Sequence, residues 1–231
     1  LDVMGIQCWE LIQDNAGSCS AEDSGVHAVQ PADAAALLQL ETEVQQCSKC
    51  QLHATRQQAV TGQGNLSPDL MFVLLSPDEN AGSSVLFSAE LNQLFIKMLA
   101  AINIAIDDVY VTSLLKCSVP AKHTVSTAEL HFCSDYLKTQ VHLLQPKLLV
   151  ILGETAARCM LQHDSSLDEL RTGVNSETYS NMNSKAAGIS NQFESVPLFV
   201  SYSPQELVQQ PGNKRKAWQD LQQIQKIMET F

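Results

Sequence analysis

The chain has 231 residues, a net charge of −11 and an apolar fraction of 45%, enough for one α/β domain with extensions and a core that needs no disulfide support. An acidic total with no Lys or Arg before Lys49 argues against a protein whose main work is to grip phosphates through a broad basic face. Seven unevenly spaced cysteines do not make a secreted disulfide framework, and no apolar run approaches the ~20 residues that span a bilayer, so a cytoplasmic protein is expected.

Residues 1–12, "LDVMGIQCWELI", are apolar, and residues 13–33 are rich in Ser, Asp, Gly and Ala without periodicity. The second stretch reads as a flexible acidic linker. The first is either an element returning to the core or a partner-docking peptide. In the docking reading Met4, Ile6, Trp9 and Leu11 are the apolar anchors, and Gly5 allows close backbone approach. The folded domain is expected over 34–231.

Helical spacing of apolar residues begins at Pro31 in "PADAAALLQLETEVQQC". Four short runs read as strands covered on both faces: "DLMFVLL" (69–75), "DVYVTSLL" (108–115), "KLLVILG" (147–153) and "PLFVSYS" (197–203). Between them, Ser88 is placed to cap a helix, and Ser126 with Glu129 makes a capping box. Ser203, Pro204 and Glu206 supply a cap, a Pro at the first helical position and a second box. "NKRKAW" (213–218) reads as the exposed first turn of a C-terminal helix. The polar, Ser- and Asn-rich stretch 165–195 reads as a mobile surface loop in the last crossover. This order predicts a three-layer α/β/α sandwich around a mainly parallel four-stranded sheet.

Cys47 and Cys50 form a Cys-x2-Cys, followed after 66 intervening residues by Cys117 and after a further 15 intervening residues by Cys133. Four soft thiolates suit zinc or a four-iron cluster, and spacing alone does not choose between them. A redox dithiol fits less well, because the pair does not lie between a strand and a helix N-terminus.

The residues around these cysteines resemble the iron–sulfur uracil-DNA glycosylases of families 4 and 5. The matching runs are "CSKCQLHATRQQAVTGQG", "YVTSLLKC", Glu129 four residues before Cys133, "PKLLVILGETAARCML" and "KAWQDL". The resemblance implies a uracil-DNA glycosylase-like fold and a 4Fe–4S cluster held by Cys47, Cys50, Cys117 and Cys133, with zinc as the alternative. It fails where the family's chemistry resides. Leu75 stands at the position of the acidic residue that activates water, Ser113 at the Asn that reads the base edge, and Ser203 at the His that stabilises the departing base. Phe87 stands at the base-stacking position, where a Phe is equally expected as a core residue.

Those losses imply a non-catalytic relative. The N-terminal peptide, "LMFVLLSPDENAGSSVLFSAELNQLFIKMLAAI" and "AWQDLQQI" resemble the psi-subunit family of the bacterial DNA polymerase III holoenzyme. That second resemblance implies an accessory subunit at the replisome, docked on the tau/gamma clamp-loader subunits by residues 1–12. It further implies binding to the chi subunit and, through it, contact with single-stranded DNA-binding protein and DNA. The competing expectation is a glycosylase-like repair enzyme with rearranged chemistry, in which Asp78 or Glu79 takes over from the lost carboxylate.

Overall fold

A computed structural model describes residues 31–56, 59–82, 84–120, 123–180 and 196–231. Met4, Gly5, Ile6, Trp9 and Leu11 lie outside the described residues, as does most of the linker. Among the described residues no helix is long and apolar enough to cross a membrane.

The chain runs through α1 (Pro31–Gln46), the single-turn α2 (Leu52–Thr55), β1 (Gly62–Gly64), β2 (Leu70–Leu74), α3 (Ala89–Ala100) and β3 (Val109–Ser113). It continues with α4 (Thr127–Leu144), β4 (Leu148–Leu152), α5 (Glu154–Leu161), α6 (Leu167–Ser180), β5 (Leu198–Ser201), α7 (Pro204–Gln209) and α8 (Lys214–Met228). The sheet order is β1-β3-β2-β4-β5, with β2 to β5 parallel and β1 antiparallel to β3. Four of these strands are those expected from the apolar runs. The fifth, Gly-Gln-Gly, is too short and too poor in side chains to carry a pattern. Its Gly64, at φ +121°, brings the backbone so close to the Val109 carbonyl that a Cβ has no room.

Every residue of β2, β3, β4 and β5 is buried, which is why they read as unbroken apolar runs. Their side chains still alternate between two layers. Met71, Val73, Leu149, Ile151 and Val200 meet α4, α5 and α6 on one face. Phe72, Val111, Val150 and Phe199 meet Phe95 and Leu99 of α3 and Leu221, Ile224 and Ile227 of α8 on the other. Each fully buried Leu, Ile or Phe contributes about 1.5–3 kcal/mol. A third, smaller cluster joins Leu40 and Val44 of α1 to Tyr136 of α4 and to the cysteines.

The expected caps at α4 and α7 form: Ser126 accepts from the Glu129 N–H and Ser203 from the Glu206 N–H, each glutamate bonding back to its cap. Ser88 occupies the cap position of α3, but its side chain makes no capping bond. Helix α1 starts at Pro31, inside the expected linker.

The stretch 165–195 departs from expectation, because Leu167–Ser180 is helix. Its apolar positions are few but well placed: Leu167, Leu170 and Val174 are buried. Asn175 explains why it folds there. Its Nδ2 donates to the Val200 carbonyl at 2.9 Å and its Oδ1 accepts from the Val200 N–H at 2.8 Å, so one side-chain amide satisfies the outer edge of β5. Arg171 ties the same helix to α8 with a fork onto Asp220 (Nε–Oδ2 2.8 Å), and Ser201 Oγ donates to that carboxylate at 2.8 Å.

Candidate functional site: a cavity at the strand ends and a cysteine cluster beside it

The carboxyl ends of parallel strands are where open α/β sheets bind ligands, because the chain diverges there into loops and helix N-termini. Here a cavity of about 350 Å³ opens at that rim, bounded by Leu74 and Leu75 at the end of β2, the 76–80 loop, Phe87, Leu152 and Gly153 at the end of β4, and the Ser203–Glu206 turn after β5. A second cavity of about 340 Å³ lies across the same loop, and Pro77, Asp78, Glu79 and Asn80 line both.

Leu75 lines the cavity where the sequence comparison places a carboxylate, and it brings no polar group. Three residues on, Asp78 does. Its Oδ1 accepts from the Asn80 N–H and Nδ2 at 3.1 and 3.4 Å, and its Oδ2 from the Ser88 N–H at 3.3 Å. A carboxylate has about four acceptor positions, so Oδ2 keeps one to offer. The Asp78 N–H is itself bonded to the Leu86 carbonyl at 2.9 Å, which fixes the loop.

Phe87 is buried, and its ring centroid stands 5.1 Å from that of Phe95, tilted by 36°. It is a rigid wall of the cavity and part of the core at once. Ser203 Oγ accepts from the Glu206 N–H at 3.2 Å, which leaves its own O–H to donate. Glu206 accepts from the Ser203 N–H at 2.9 Å and from the Glu154 N–H at 2.8 Å. That reach requires Gly153 (φ +97°), where an added Cβ would press at 3.3 Å on Ser203 and Glu206. Ser113 is wholly buried, its Oγ has no hydrogen-bond partner, and it does not line the cavity. Its position fits sheet packing rather than base reading.

The four cysteines come together beside this rim. Cys117 and Cys133 are buried with Leu40, Val44, Leu52, Ala59, Leu115 and Tyr136, and Cys47 and Cys50 pack against that group. All four are free thiols. Burial pushes the Cys133 thiol up to about 11 and raises Cys117, with Cys50 and Cys47 adding to the rise at Cys117 and Arg56 opposing it. Among the described residues no group of three or more His, Cys, Asp or Glu is arranged to hold a single metal ion.

Lys116 fixes the loop that presents Cys117. It is 1% exposed, and its Nζ donates to Gln140 Oε1 at 2.6 Å, the Ser113 carbonyl at 2.7 Å and Thr112 Oγ1 at 2.8 Å. Burial without a carboxylate partner pulls its pKa down to about 7. Gln140 completes the network by donating to the Thr61 carbonyl at 2.9 Å and the Tyr110 hydroxyl at 3.1 Å. Sequence reasoning missed Gln140 and saw Glu206 only as a capping partner, because the bonds of Gln140 to Thr61 and Tyr110 and of Glu206 to Glu154 join residues remote in sequence. Of the remaining cysteines, Cys159 is half-buried against the core. His123 bonds the capping Glu129 at 3.0 Å.

Residues 61–222, more than half the chain and including this rim, match the family model for the uracil DNA glycosylase superfamily. Among the curated relatives, a type-4 uracil-DNA glycosylase of Archaeoglobus fulgidus is 29% identical over 79% of this chain and 88% of its own length. One of Pyrobaculum aerophilum is 27% identical over 80% and 91%, and one of Thermotoga maritima 32% identical over 49% and 59%. These relatives overturn the expectation of a clamp-loader accessory subunit, and with it the tau/gamma, chi and single-stranded DNA-binding protein partners. They also overturn the inference from Leu75, Ser113 and Ser203 that the chain is no enzyme, which took the loss of three side-chain types for the loss of a site. The chain belongs to the uracil DNA glycosylase superfamily.

Proposed function

We propose that the chain is a DNA-repair glycosylase that excises an extruded base, uracil first among candidates, with a rearranged set of active-site groups. The observation that carries this is the Asp78 carboxylate in the cavity wall, held by three donors and still able to accept from a water. Excision needs a base taken out of the stack into a pocket and a directed nucleophile. The cavity at the strand ends receives the base against the wall formed by Phe87. Asp78 takes a proton from a water that adds at the sugar C1′, and the C1′–N bond breaks with its electron pair leaving on the base. The Ser203 hydroxyl meets the charge that develops there.

Cys47, Cys50, Cys117 and Cys133 are the residues that would hold a 4Fe–4S cluster. Its contribution there is a cross-link among α1, the loop after β3 and α4. The donor set fits: four free thiols around one apolar cluster, with Lys116 and Gln140 holding the β3 loop.

The test is single-turnover incubation of excess protein with an oligonucleotide bearing one uracil, followed by alkaline cleavage at abasic sites. The wild type is expected to give cleaved product. Asp78→Asn is expected to slow it by about 10²-fold or more while leaving DNA binding intact, the range for loss of a positioned acid–base group. An absence of product from the wild type overturns the proposal.

A further inference from the structure

Arg56 stands where two chain segments meet. Its Nη2 donates to the Gln45 and Cys47 carbonyls at 2.9 and 2.8 Å, and its Nη1 lies 3.5 Å from the Val44 carbonyl and 3.2 Å from Cys117 Sγ. The first three acceptors are carbonyls at the C-terminal end of α1, where a helix leaves acceptors without intrahelical partners; that of Val44 also accepts from the Cys47 N–H at 3.2 Å. The fourth is a sulfur 61 residues away in sequence. A planar, permanently charged fork is the side chain suited to bridging such a set. All four acceptors are carbonyls or sulfur and none is a carboxylate, so the positive charge is directed at the thiol. Around it the frame is closed: Gln45 Nε2 donates to the Ala59 carbonyl at 2.7 Å, Ala59 forms a β-bridge with Cys117, and the Val60 N–H donates to the Lys116 carbonyl at 2.7 Å.

Resting on the reading that the four cysteines hold an iron–sulfur cluster, we infer that Arg56 is a positioning residue for it. Arg56 locks the segment bearing Cys47 onto Cys117 and hydrogen-bonds the Cys117 thiolate. Two consequences follow from those two roles. Without the lock, the cluster is released more readily, since partners that orient metal ligands typically govern affinity by about 10–100-fold. Without the charge-assisted bond to sulfur, the electron-rich form of the cluster loses a stabilising partner, so its reduction potential falls.

The experiment reconstitutes the full chain anaerobically with ferrous iron and sulfide, for the wild type, Arg56→Gln and Arg56→Lys. Iron and sulfide per chain, the rate of bleaching by a chelator, and the midpoint potential for one-electron uptake at an electrode are then measured. Arg56→Gln is expected to bleach about tenfold faster or more, and whatever cluster remains to take up its electron at a more negative potential. Arg56→Lys keeps a charge but not the fork, so its potential is expected nearer the wild type while bleaching stays fast. A variant that fails to fold reveals itself by its circular dichroism, and Arg56→Lys then carries the test. A wild type that takes up iron and sulfide, with both variants matching it in bleaching and potential, overturns this inference alone. A wild type that takes up no iron overturns the cluster reading and this inference together.

Discussion

Glu129 shows how much one side chain can organise. Its carboxylate accepts from the Ser126 N–H at 2.8 Å, the Ser126 hydroxyl at 2.9 Å and His123 Nε2 at 3.0 Å, and it opens the helix that carries Cys133. Burial alone would raise its pKa, but the bonds from the Ser126 backbone, from His123 and from the Ser126 hydroxyl hold it below the usual carboxylate range. A carboxyl lowered on folding binds fewer protons in the native state. Its stabilisation is therefore complete above the unfolded value, near about 4.3, and is lost as pH falls through the folded one. Glu129→Gln is expected to cost about 1 kcal/mol at pH 7, as loss of a cap does, lowering Tm by about 2–4 °C. The gap between variant and wild type should close in melts run progressively below pH 4; a gap independent of pH would refute the electrostatic part. This box was legible in the sequence because its partners are three residues apart. The contact from Arg56 to Cys117 was not, because nothing local announces a partner 61 residues away.

At the scale of elements, α6 is where local pattern and structure part. The stretch from Leu167 is polar enough to pass for a loop, and its helix is held by tertiary contacts rather than by a broad apolar stripe. Asn175→Ala would remove both bonds to Val200 and leave an N–H and a carbonyl buried without partners. The expected cost is about 2–3 kcal/mol, read as a Tm several degrees lower. An unchanged melting curve would show that α6 does not need this amide. By contrast, the parallel strands were readable because burial on both faces strips them of polar residues. Strand β1 was invisible for the opposite reason: its two glycines are selected by close backbone approach, which no hydropathy pattern records.

For the molecule as a whole, the three apolar clusters divide the work unequally. Two sandwich the sheet and contain none of the four cysteines, and the third joins α1 to α4 around them. Stripping the reconstituted cluster with a chelator under reducing conditions is therefore expected to lower Tm by several degrees while the sheet and the helices against it persist. Far-UV circular dichroism at 25 °C should change little; wholesale loss of ellipticity would mean that the cluster nucleates the entire fold. The architecture could be read from spacing and resemblance, and the packing of Cys47, Cys50, Cys117 and Cys133 in one apolar cluster adds to the expectation that they act together. Asp78 could be named from the sequence only as one of two candidate carboxylates, since the bonds from Asn80 and Ser88 that hold it depend on where the loop lies.

The side-chain amide of Asn175 has one more consequence. On β5 it occupies the backbone groups of Val200 that an incoming strand would need. At the opposite border β1 offers only three residues, two of them glycine. A sheet closed in this way at one border and blunted at the other gives a foreign strand little to extend, so association through strand addition is disfavoured on both sides. Among the described residues, then, the helical faces and loops rather than the sheet borders are the surfaces open to assembly.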